Sequence, residues 1–190
     1  MAFDYPDENV LAVLKTNPVQ KLDCSQKEIV KQAIEHPIGC PSLKKVMKPG
    51  DTVAVVIPDI TRNWQSSDVY MPVLIDALNA AGINDEDILI ISATGTHREQ
   101  TREEHIACIG EDLYKRIKIV DHVCTDTEHL TSMGTTSHGT PVELDSRAIE
   151  RDHIILTGGV VYHFLAGFGG GRKCIVPGIA SRETIMKHHS

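Results

Sequence analysis

Alternation of continuous apolar runs with helical periodicities predicts an α/β fold, a mostly parallel, doubly wound, Rossmann-like sheet. Three stretches carry that expectation. Residues 52–57 (Thr-Val-Ala-Val-Val-Ile) and 87–92 are apolar runs of strand length, as expected for strands covered on both faces. Between them Val69, Val73, Leu74, Ala77, Leu78 and Ala81 recur at helical spacing and stop at Gly82, which completes a βαβ unit.

The remaining elements follow in order. Residues 1–24 have no clean period, although Val10 to Leu14 is apolar enough to pair as a strand or to lie along the surface. Ser25-Gln-Lys-Glu28 is a capping-box pattern, and Ile29, Val30, Ala33 and Ile34 form the stripe of a helix that ends at His36-Pro37. A short helix is expected over 42–47. The first strand runs into Pro58-Asp59-Ile60-Thr61-Arg62, an acid and a base at its carboxyl end. The second runs into the polar turn 93–98, followed by a helix over 99–109 whose Glu99, Glu103 and Glu104 are expected on a solvated face. A third strand over 117–120 leads to His122. Residues 131–140, rich in Thr and Gly, read as an irregular excursion or hairpin, 141–144 as a short strand, and 146–150 as one turn of helix. The fourth main strand, 154–157, feeds a glycine-rich loop. A final helix is capped by Ser181, with Glu183 in its first turn. The sequence stops inside that pattern at His188-His189-Ser190, so a longer protein is expected.

The 190 residues suffice for one well-cored domain, 1–190. With 41% apolar and 24% charged residues the chain is expected to be globular. A formal charge of −7 and 4% aromatic residues argue against nucleic acid or an anionic membrane as the main partner, and favour a small molecule. With no basic leader at Met1 and no long apolar run, the expected compartment is the cytoplasm. Five scattered cysteines without a C-x-x-C pair indicate reduced thiols rather than a disulfide framework or a zinc site.

The glycine-rich stretch 158–178 organises the chemistry. Gly158, Gly159, Gly167, Gly169, Gly170 and Gly171 are unsuited to a helix interior and suit a loop whose bare backbone approaches a ligand. With Arg172-Lys173 in the same loop, an anionic guest such as phosphate is expected. Neither standard nucleotide motif fits. Counted from Gly167, a Walker A loop would have Arg172 in place of its second glycine and Cys174 in place of its hydroxyl. The intervals Gly167-x-Gly169-x-Gly171 are wrong for a dinucleotide fingerprint. Lys173 is the one lysine of the loop, able to neutralise a phosphate, form a Schiff base or carry a covalent cofactor; the competing reading is a solvated cation. His97 stands at a strand end after Thr94-Gly-Thr, with a plain surface histidine as the alternative. His163 sits in an apolar run, with a core histidine satisfied by a carbonyl as the alternative. Of His188 and His189, adjacent on a helix, only one would face a metal. His36, His105, His122, His129, His138 and His153 are taken as structural or solvated.

Several separated motifs occur in one order: Pro6-Asp-Glu-Asn, His36-Pro-Ile-Gly, Pro58-Asp-Ile-Thr-Arg62, Gly95-Thr-His97-Arg98, Gly139-Thr-Pro-Val, His163-x-x-Ala166-Gly-Phe-x-Gly-Gly-x-Lys173, Ile175-x-Pro-Gly-Ile and Thr184-Ile-x-x-x-His189. On these the chain resembles the N-terminal domain of the nickel-dependent lactate racemase family, with its 2-hydroxy-acid racemase and epimerase relatives. The resemblance implies the N-terminal half of a two-domain enzyme. It implies a nickel pincer nucleotide (pyridinium-3,5-bisthiocarboxylic acid mononucleotide) attached to Lys173, with His189 as nickel ligand. His97 and His163 match the two catalytic bases and Arg62 the arginine that holds the substrate carboxylate. Asp59, Gly169, Gly170, Gly171 and Arg172 are implied as cofactor contacts. The implied partners are a small 2-hydroxy acid, cofactor-synthesis enzymes and a C-terminal domain that closes the cleft. Asn63 stands where relatives often have proline, and Arg172-Lys173-Cys174 replaces Ala-Lys-Ser, which leaves the substrate preference open.

Such an enzyme would interconvert enantiomers by hydride transfer, because a carbanion beside a carboxylate is a poor intermediate, and each enantiomer would need its own base. The alternative is a metal-free phosphate- or nucleotide-binding module without catalysis. An NAD-type dehydrogenase is disfavoured by the failed fingerprint.

Overall fold

The computed structural model describes residues 6–13, 23–163 and 167–188. Strand β1 (Val53–Pro58) is the centre of the molecule, with Val53 to Ile57 fully buried. It pairs in parallel with β2 (Ile88–Ala93) on one side and β6 (His153–Leu156) on the other. Strand β3 (Lys118–Asp121) extends the sheet beyond β2, giving the order β3-β2-β1-β6, parallel throughout. The expected α/β sheet is therefore present.

Side-chain alternation along β1 divides the core into two layers. Val53, Val55 and Ile57 pack with Met71, Leu74, Ile75 and Leu78 of α3 (Ser67–Ala80), and with Cys108, Ile109 and Leu113 of α4 (Arg102–Ile109) and α5 (Glu111–Arg116). Ala54 and Val56 face the opposite way, onto Ala148 of the one-turn α6 (Ser146–Ile149) and onto Cys174 and Ile179. The second layer is thus partly built by the glycine-rich segment itself, which anchors that segment to the sheet.

Helix α1 (Gln26–Glu35) starts where the capping pattern predicts, with Glu28 N–H donating to Ser25 Oγ at 3.2 Å. None of its residues is buried; Ile34 is only half-covered by the α3 layer. A short α2 (Leu43–Val46) follows. Residues 10–13 form neither helix nor strand, and Leu14 lies outside the described residues.

Helix α4 begins later than its sequence pattern suggests, because Thr101 is its N-cap. Glu104 turns back to accept from Thr101 N–H at 2.8 Å and pairs with Arg98 at 2.6 and 2.8 Å, so it is a capping residue rather than part of a solvated face.

The Thr- and Gly-rich stretch resolves into an antiparallel hairpin, β4 (Leu130–Thr135) and β5 (Pro141–Asp145), with a register shift between Ser132 and Gly134. Helix α7 (Arg182–His188), capped by Ser181 through Thr184 N–H at 3.2 Å, packs Ile185 against Leu144 and Ala180. His122, expected to be structural, is buried. Its Nδ1 faces Asp145 Oδ2 at 3.0 Å and its Nε2 faces the Ala180 carbonyl at 2.9 Å. His105, His129 and His153 likewise pair with Asp121, Asp126 and Asp51. Among the described residues no helix is long and apolar enough to cross a membrane.

Candidate active site

The strand order reverses at β1, since the chain moves from β1 to β2 and β3 on one side before returning to β6 on the other. In open α/β sheets the crevice beyond the strand ends at such a point receives ligands. The loops after β1, β2 and β6 meet there.

The loop after β1 is a 3₁₀ turn, Ile60–Gln65, capped by Asp59. Asp59 Oδ1 accepts from Thr61 N–H at 3.2 Å and from Thr61 Oγ1 at 2.6 Å. Its Oδ2 lies 2.5 Å from His97 Nδ1. Asp59 is 4% exposed whereas the His97 side chain is half-exposed, so a buried carboxylate holds one edge of a ring whose other edge is accessible. A carboxylate accepts, so it is Nδ1 that carries the proton of this contact. The turn bearing His97 is tight: His97 N–H donates to Thr94 O at 2.9 Å, and Gly95 has φ of 58° with its N–H on Gly178 O at 3.0 Å. Thr94 Oγ1 is buried and donates to the His122 carbonyl.

After β6 the chain forms a small hairpin, β7 (Tyr162–His163) with β8 (Gly167–Phe168), which pairs His163 with Gly167 and has no simple sequence signature. Gly169 N–H donates to Val161 O at 2.6 Å. Gly170, at φ of 71°, lies so close to Gly159 that an added Cβ would stand 2.7 Å from Gly159 O, so only glycine fits. A second 3₁₀ turn, Gly171–Cys174, carries Lys173. Burial, followed by the charge of Arg62, lowers the Lys173 ammonium below its ordinary pKa. Cys174 turns into the second core layer, with its Sγ on Thr157 O at 3.2 Å, and burial pushes its thiol up to about 11.

Asp59, Arg62, His97, His163, Gly169, Gly170 and Lys173 all line one cavity of about 520 Å³. Both oxygens of Asp59, implied as a cofactor contact, are bonded within the chain. Gly171 and Arg172 are exposed and do not line the cavity. His189 lies outside the described residues, while Ile185 of α7 reaches the cavity wall. Trp64 and Gln65 also line it and carry no sequence signal, because neither residue type marks a motif at that position.

The sequence model of the family described as lactate racemase N-terminal domain matches residues 1–190. The chain belongs to that family. It is 35% identical over 190 residues to a lactate racemase of Thermoanaerobacterium thermosaccharolyticum, covering 100% of this chain and 44% of that protein. It is 36% identical over 166 residues to a lactate racemase of Lactiplantibacillus plantarum, covering 87% of this chain and 39% of that one. The fold superposes with a TM-score of 0.83 on the structure of the lactate racemase apoprotein from T. thermosaccharolyticum, at 35% identity, over 98% of this chain and 43% of the other. A crystal structure of a Thermotoga maritima protein matches with a TM-score of 0.69 at 26% identity, over 90% of this chain and 42% of that one. This lactate racemase N-terminal domain therefore spans less than half the length of the relatives it matches. The resemblance read from the sequence motifs and the α/β fold both hold.

Proposed function

We propose that the full-length protein carrying this chain interconverts the enantiomers of a small 2-hydroxy acid. In this reading His97 and His163 are the acid/bases, Arg62 anchors the carboxylate, and Lys173 is the attachment point of a nickel pincer nucleotide. The observation that carries it is the convergence of these four side chains on one cavity. The family membership supports the reaction class.

The residues fit the group. Arg62 gives the cavity a cation for phosphate or carboxylate, and Lys173 places an amine in the same cavity. A lysine amine whose pKa is lowered by burial is more often neutral and nucleophilic, as covalent attachment requires. Among the described residues no three His, Cys, Asp or Glu side chains gather to hold a metal, so nickel suits this chain where an organic group supplies most of its donors. By resemblance His189 would add the chain's own ligand. When bound, the cofactor supplies a two-electron acceptor for the hydrogen on Cα.

The chain's own work is proton transfer and orientation. His97 Nε2, held by Asp59 through the opposite nitrogen, takes the hydroxyl proton from one enantiomer or returns it. His163 does the same for the other enantiomer. Arg62 holds the planar keto acid by its carboxylate, so that it is retained between departure and return of the hydrogen. A second domain covering the cavity belongs to this proposal, as do enzymes that make the cofactor.

The test is intact mass of the full-length protein co-expressed with cofactor-making enzymes. Wild type is expected to carry an adduct that Lys173→Ala lacks. Equal masses, after allowing for the substitution, would overturn the attachment.

A further inference from the structure

The Ile60–Gln65 turn carries Arg62 from the end of β1 toward the root of the glycine loop, and a glutamine amide ties it at each end. At its start Ile60 N–H donates to Gln100 Oε1 at 2.6 Å. Gln100 Nε2 in turn donates to Ser92 Oγ at 2.5 Å and to Asp121 Oδ1 at 3.0 Å, which fixes this end to β2 and β3. At the other end Gly159 N–H donates to Gln65 Oε1 at 2.6 Å.

The second tie leads to the lysine. A Cβ on Gly159 would lie 3.1 Å from Gln65 Cδ, so the amide and the loop root are in close contact. Gly159 O in turn presses on Gly170, and Lys173 N–H donates to Gly170 O at 3.1 Å. The path from the arginine turn to Lys173 thus runs through Gln65, Gly159 and Gly170. The hairpin bearing His163 starts three residues after Gly159 and closes on the same segment through Gly169 N–H and Val161 O.

We infer that Gln65 is a positioning residue, a latch that holds the root of the glycine loop against the Arg62 turn so that Lys173 and His163 share a cavity with His97. Its kinetic consequence rests on the racemase reading; the latch itself does not. The group required is an acceptor, because the partner is a backbone N–H. Glutamate at 65 keeps that acceptor, and leucine keeps the approximate volume without it. Losing the latch displaces groups that must be aligned in the transition state more than it weakens capture of the acid by Arg62, so kcat falls rather than KM rising.

The experiment uses the full-length protein as wild type, Gln65→Leu and Gln65→Glu, with amide exchange of residues 158–163 measured before cofactor loading and racemisation kinetics measured after it. Gln65→Leu is expected to speed exchange at Gly159 by ~10-fold or more. It should lower kcat by ~10- to 100-fold while KM changes by less than about threefold. Gln65→Glu, which keeps the acceptor for Gly159 N–H, should keep exchange at Gly159 near wild type. Wild-type exchange and kcat in Gln65→Leu, or equally fast Gly159 exchange in both variants, would overturn the latch. A loaded wild type that racemises no 2-hydroxy acid would overturn the functional reading instead, and Gly159 exchange would still decide the role of Gln65.

Discussion

His97 and Asp59 are 38 positions apart in sequence and 2.5 Å apart in space. No local pattern announces that pair. What the sequence does carry is each partner separately, an acid closing one apolar run and a histidine following another, and it is the parallel pairing of β1 with β2 that brings them together. Asp59 also caps the turn bearing Arg62, so one carboxylate orients a base and the start of the arginine turn. Asparagine at this position keeps the capping oxygen but presents an N–H to the ring or loses its grip on Nδ1–H, which favours the tautomer with the proton on Nε2. Asp59→Asn is therefore expected to cut kcat of the loaded full-length enzyme by ~10²- to 10⁴-fold, with little change in thermal midpoint. A steady-state assay beside a melting curve separates the two effects, and a large drop in midpoint with kcat intact would contradict the orienting role.

The β4–β5 hairpin is joined to the sheet by a buried charge cluster rather than by strand pairing. Asp145 accepts from His122 Nδ1 at 3.0 Å, from Arg147 Nε at 2.9 Å and from Arg147 Nη2 at 2.6 Å, while its N–H bonds Ile179 O at 2.9 Å. Burial pushes the Asp145 carboxyl up, but the bonds from Arg147 and His122 outweigh it and bring the pKa down to about 2, against an ordinary 3.8. The folded value lies below the unfolded one, so this contribution to stability is complete above about pH 4 and is lost as pH falls through 2. Asp145→Asn leaves a half-buried guanidinium and a buried imidazole without their carboxylate partner and is expected to cost ~3–5 kcal/mol at pH 7. Urea unfolding of wild type and variant should show that gap narrowing from pH 4 to pH 2; a gap independent of pH would remove the charge from the explanation. Nothing in the Thr- and Gly-rich stretch revealed this anchor, because its partners come from residues 122, 145, 147 and 180. β1, β2 and α3 were legible by contrast, since their core positions produce unbroken or periodic apolar patterns. Helix α5 has a single buried residue, Leu113, and its acids at the start and bases at the end were the only signal of it.

At the scale of the whole molecule, the gathering of loops beyond the strand ends was legible from the alternation of strands and helices, whereas the placement of β6 beside β1 was not, because strand order is set by packing across the sheet. That placement sets the cations Arg62 and Lys173 on either side of the β1/β6 crevice. Two cations and a bare glycine backbone would also suit a module that only holds phosphate. The two cases differ in what removal of metal does. A racemase with a lysine-linked nickel group should, after exhaustive chelation, lose racemisation while the organic adduct remains on Lys173 in the mass spectrum, and nickel alone should restore turnover. A phosphate module should be indifferent to chelator and nickel. Inorganic phosphate at 100 times its Kd should instead stabilise it by about 2.7 kcal/mol, read as a rise in thermal midpoint. Measuring both on the full-length protein decides between them: nickel-dependent turnover on a retained adduct supports the racemase, and phosphate stabilisation with no adduct and no response to nickel sinks it.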